Sequence, residues 1–116
     1  MNVETHAAAR RELAVAANRL TLARPGYGAR FREATRKALR DIGETPHSFP
    51  PDEDAPDGFE VRYVPLSKYS YRIVFAVLES TALVLAVAHD GREPRYWTER
   101  LPAPAPEPGE AKAPVT

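Results

Sequence analysis

Residues 59–88 read FEVRYVPLSKYSYRIVFAVLESTALVLAVA, and this stretch decides the fold. Over residues 59–66, Phe59, Val61 and Tyr63 alternate with Glu60, Arg62 and Val64. Over residues 71–78, Tyr71, Ile73, Phe75 and Val77 alternate with Arg72, Val74 and Ala76. A period of two is the strand period. Residues 81–88 form a third apolar run after a tight turn at Glu79-Ser80. Consecutive strands with short connections pair antiparallel.

Upstream of the strands the pattern changes. Residues 7–23 are rich in Ala, Arg, Glu and Leu, which favour helix, and Leu13, Ala17 and Leu20 form a thin apolar stripe at helical spacing. Pro25-Gly26 ends this helix in a turn. A second helix is expected over residues 27–42, with Phe31, Ala34, Ala38 and Ile42 on its apolar face and Gly43 as its C′ residue. Two helices joined by so short a turn imply an antiparallel hairpin. Residues 45–58 hold four prolines and four acids and read as a loop. Residues 1–6 are a candidate short strand. Residues 102–116 are a Pro/Ala-rich tail, expected to be disordered.

The fold class that results is α+β, ordered β-α-α-β-β-β, with one small domain over residues 1–101. The helical hairpin should cover one face of a small antiparallel sheet and leave the other face partly open. If Tyr63 and Tyr71 face the core, strand parity puts Arg62 and Arg72 together on the outer face. Two guanidiniums there can grip a phosphate bidentately; the plainer alternative is that they decorate a wet sheet face.

Composition excludes several classes. The chain has no cysteine, so disulfide and thiolate chemistry are absent and a reducing cytoplasm is the expected setting. The longest apolar run, residues 73–88, is broken by Glu79 and Ser80, so no membrane span or membrane partner is expected. The first residues show no secretory signal pattern. The three histidines, His6, His47 and His89, are far apart in sequence, so neither a metal site nor a cofactor is expected. The formal net charge of zero conceals blocks: residues 10–40 carry nine cations against two acids, and residues 41–60 carry seven acids and no Arg or Lys.

The segment after the last strand concentrates reactive types. His89, Arg92 and Tyr96 lie within eight residues, beside Arg95 and Trp97. Imidazole is suited to proton transfer near neutral pH, guanidinium to a phosphorane-like transition state, and an aromatic ring to stacking on an unpaired base. A strand-ending turn with Trp97 capping the core explains the same residues without chemistry. His89 shares the parity of Leu83, Leu85 and Val87, which would turn it inward.

Taken in order, these motifs resemble the RelE/ParE toxins of type II toxin–antitoxin systems. The carriers are Pro25-Gly26-x-Gly28-x-x-Phe31 opening the second helix, the strand Tyr71-Arg72-Ile73-Val74-Phe75, and the stretch from Ala86 to Trp97 with its Arg-x-Pro-x-x-Trp ending. The resemblance covers about residues 1–100 and weakens over 45–58. It implies a cognate antitoxin as partner and a hetero-oligomer with it, docked on the open sheet face and the hairpin. It also implies one of two targets, and RNA cleavage is the leading expectation, because His89 with Arg62, Arg72, Arg92 and Tyr96 could supply the needed chemistry; gyrase inhibition is the alternative. A RelE-like member would be a metal-independent mRNA endonuclease on the ribosome. Arg62 and Arg72 would then hold the scissile phosphate, His89 would move protons, Arg92 would stabilise the transition state and Tyr96 would orient the base. A ParE-like member would inhibit DNA gyrase and cut nothing. The second strand cation of the RelE pattern is missing near Val64 and Pro65, and the Arg-x-Pro-x-x-Trp ending looks at least as ParE-like.

Overall fold

The computed structural model describes residues 1–103. Most of the expected tail, residues 104–116, lies outside the described residues. Strand β1 spans Asn2–Thr5, helix α1 Ala7–Ala23 and helix α2 Tyr27–Glu44. After a 3-10 turn at Pro46–Ser48 come β2 (Glu60–Leu66), β3 (Tyr71–Val77) and β4 (Thr81–His89). The sheet order is β1-β4-β3-β2. Pairs β2–β3 and β3–β4 are antiparallel, as expected, but β1 pairs parallel to β4. The sheet is therefore mixed rather than antiparallel throughout. A parallel pair needs a long crossover, and everything from α1 to β3 supplies it.

The hairpin covers one sheet face. Ala9, Ala38 and Ile42 pack on Val64, Ile73, Phe75 and Val84, and Ala16, Ala17 and Phe31 pack on Tyr71 and Val87. Gly43 is not the end of α2. It lies inside the helix, where β1 crosses so closely that a Cβ there would sit 3.2 Å from the Met1 carbonyl oxygen. The Met1 ammonium donates to the Gly43 carbonyl at 2.8 Å. The glycine is explained by this approach, and the helix stops just before Thr45-Pro46.

The other sheet face is not left open. Val61, Val74, Ala76, Leu85, Ala86 and Ala88 form a second buried cluster beneath Trp97, with Ala55, Phe59 and Leu101 at its edges. The segment after β4 folds back over the sheet to make this cover. With both faces buried, β3 loses its expected in–out contrast: Ile73, Val74, Phe75 and Ala76 are all buried.

Two local features reset the parity. The link between β2 and β3 is a 3-10 turn at Ser67–Tyr69 followed by Ser70 in the left-handed region, φ 62°. It pairs Leu66 with Tyr71 and hence Arg62 with Phe75 and Pro65 with Arg72. Directly opposed residues share a face, so Arg62 is on the helix side and Arg72 on the Trp97 side. In β4 a bulge inserts Leu85: Val74 pairs with Ala86, but Phe75 pairs with Val84. Leu85 and Ala86 therefore both face Trp97, and Val87 and His89 switch to the helix side.

Candidate functional site

The shared outer face expected for Arg62 and Arg72 is overturned. Tyr63 and Tyr71 sit on opposite faces, and because both faces are buried a tyrosine marks neither. Arg62 is consumed locally: its Nε donates to Glu60 Oε2 at 2.7 Å, and a terminal nitrogen donates to the Phe49 carbonyl at 2.6 Å. The hydrogen bond from Arg62 holds the Glu60 carboxyl below its ordinary range, against a smaller opposing effect of burial, and His47 adds to the lowering. Arg62 thus ties residues 45–58 to β2.

Arg72 lies against the ring of Tyr63, 4.5 Å from its centroid, with Asp90 at 3.8 Å. It opens onto a hollow of about 250 Å³ at the end of the sheet, which His89, Arg92 and Tyr96 also line. Four of the five predicted site residues thus meet at one place and Arg62 does not. The hollow is not cationic: Arg72, Arg92 and Arg95 face Asp52, Asp54, Asp90 and Glu93.

His89 is exposed at the end of β4, its ring edge against Tyr71 with centroids 5.2 Å apart. Its Nδ1 accepts the Gly91 N–H at 3.0 Å. The neutral ring therefore carries its proton on Nε2 and presents a donor outward. Tyr96 is half-buried, with the Arg92 guanidinium 4.0 Å and the Arg100 guanidinium 5.0 Å from its ring centroid. Its hydroxyl is buried and finds no hydrogen-bond partner among the described residues. Burial first, and then the nearby Glu12 carboxylate, push this phenol well above its usual range.

Beneath Tyr96 lies a pair that the sequence reading missed. Where β1 ends, β4 has no neighbour on that side. Glu12 fills the gap by accepting the Val87 N–H at 3.1 Å, and Arg100 donates to the Leu85 carbonyl at 2.9 Å. The two side chains close a bidentate bridge at 2.9 and 3.0 Å, only 18% and 16% exposed. Glu12 in turn keeps Arg100 charged. The pair fastens the segment carrying Arg92 and Tyr96 to α1. The available signal was faint: a lone acid in a basic helix and a lone arginine after Trp97.

On the helix side of the same segment is a larger cleft of about 540 Å³, between α1 and the end of β4. Arg11 and Arg19 enter it from α1, and Arg92, His89 and Tyr96 from the opposite wall. No described helix is long and apolar enough to cross a membrane.

No family model and no curated protein matches the chain. Among solved structures, it is similar to a chain from a chromosomal ParDE TA system of P. aeruginosa. The likeness spans 77% of this chain and 95% of that one, at 12% sequence identity and a TM-score of 0.54. With the element order, hairpin and sheet described above, this chain has the RelE/ParE-like fold.

Proposed function

We propose that this chain is the toxin of a toxin–antitoxin pair, neutralised in the cytoplasm by a cognate antitoxin, and that it acts by binding its target rather than by cutting RNA. The fold it shares with a chain of a ParDE TA system supports the first half. The observation that carries the second half is the charge around Arg72. A phosphodiester entering that hollow meets four carboxylates against three guanidiniums, and like-charge approach into a confined site is unfavourable. Arg62, the second expected phosphate ligand, is on the other side of the sheet and already bonded to Glu60 and Phe49. DNA gyrase is the target that this ParE-like reading implies.

A second reading keeps RNA cleavage, with Arg72, His89, Arg92 and Tyr96 as its machinery and ribosome-bound mRNA as substrate. What favours it is that these four residues line one hollow. Two assays with the purified chain separate the readings. The binding reading expects intact mRNA in a reconstituted translation system and loss of supercoiling by purified gyrase. Site-specific mRNA breaks with unaffected gyrase would replace it with the second.

A further inference from the structure

We infer that the cleft between α1 and the segment after β4 binds a phosphate chain. Its lining holds Arg11, Arg19, Arg92 and Arg100 against one carboxylate, Glu12. Glu12 is already committed, in bidentate fashion, to Arg100. Arg11, Arg19 and Arg92 have no carboxylate within 4.0 Å among the described residues. His89 adds a further donor at the cleft wall, because the Gly91 N–H occupies its Nδ1 and leaves the proton on Nε2.

The free polar groups are therefore donors, and the complementary ligand is rich in acceptors. Each phosphate along a chain brings a full negative charge and two non-bridging acceptor oxygens, repeated at short intervals, and guanidinium forks match its geometry. One phosphate cannot serve every donor. Arg11 and Arg19 are two turns apart on α1, roughly 12 Å along the helix axis, with Arg92 facing them across the cleft. Consecutive phosphates, as in a polyphosphate tail or a single-stranded nucleic-acid backbone, span that distance. Val15 lies between the two helix arginines and is 59% exposed, which gives the ligand an apolar shelf beside its charge. This cleft shares His89, Arg92 and Tyr96 with the acid-lined hollow of Arg72 but opens on the helix side, where Arg11 and Arg19 line it, and it does not depend on the target assigned above.

Isothermal titration of the full chain with inorganic tripolyphosphate, ATP and an eight-residue oligo-dT tests the inference. Saturable tripolyphosphate binding is expected. Arg11→Gln and Arg19→Gln should each weaken it about tenfold, the scale of one lost charge-assisted hydrogen bond. Arg30→Gln, on α2, should leave it unchanged. Tighter binding of ATP than of tripolyphosphate marks a nucleotide as the natural source, and tighter binding of oligo-dT marks a nucleic-acid backbone. Circular dichroism of each variant separates lost binding from lost fold. The inference is overturned if no probe binds, if Arg11→Gln and Arg19→Gln bind like the unaltered chain, or if a tetraglutamate peptide binds as tightly as tripolyphosphate.

Discussion

An alanine at position 28 would place its Cβ 2.0 Å from Thr21 Oγ1 and 2.3 Å from the Ala17 carbonyl oxygen. The hydroxyl could rotate away, but the helix backbone could not. Gly28→Ala should therefore force α1 and α2 apart and cost about 2–3 kcal/mol, the upper range for overpacking. Thermal denaturation reads this as a lower Tm, and an unchanged Tm would mean that the hairpin is looser than described. Glu60 makes a different residue-scale prediction. Its folded carboxyl is held below the ordinary 4.5. The unfolded chain therefore takes up the proton first as pH falls. The stability Glu60 contributes is present above pH 4.5 and is lost as pH drops through its depressed folded value. Glu60→Gln should flatten the acid limb of a stability–pH curve. A variant with the same acid limb as the unaltered chain would contradict the Arg62–Glu60 bond.

At the scale of elements, β4 depends on two side chains that are not part of any sheet. Removing Glu12 strips a partner from the Val87 N–H and leaves Arg100 charged and largely buried. Glu12→Ala should cost roughly 3 kcal/mol, because it breaks a buried pair on one side only. It should also expose the segment after β4 to limited proteolysis before the rest of the chain. Unaltered stability and cleavage would mean that Trp97 alone holds the segment. The helices were legible in the sequence because their signals are local: Ala-rich and Arg-rich runs on either side of Pro25-Gly26, and Phe31, Ala38 and Ile42 at helical spacing. The faces of β2, β3 and β4 were not. The Leu66–Tyr71 register is set by the turn at Ser67–Tyr69, and an apolar run such as residues 82–88 hides a bulge, since Leu85 and Ala86 suit either face. Parity from Tyr63 failed because the cover that Trp97 provides made both sheet faces core.

Across the whole molecule, a net charge of zero is divided between two openings that share His89, Arg92 and Tyr96. The acidic residues 52 and 54 lie beside Arg72, and the basic α1 faces the other cleft. The sequence blocks were visible, but which block met which opening depended on how residues 45–58 return along β2, anchored by Arg62 and by the Pro51–Arg62 bridge. On the function proposed above, the carboxylates around Arg72 on the Trp97 side favour binding of a target over cleavage of RNA. The most direct test is to follow growth and map mRNA 5′ ends in bacteria expressing this chain. Growth should stop without new 5′ ends, whether residue 72 is Arg or Ala. New ends that appear with the unaltered chain and vanish with Arg72→Ala would contradict the account.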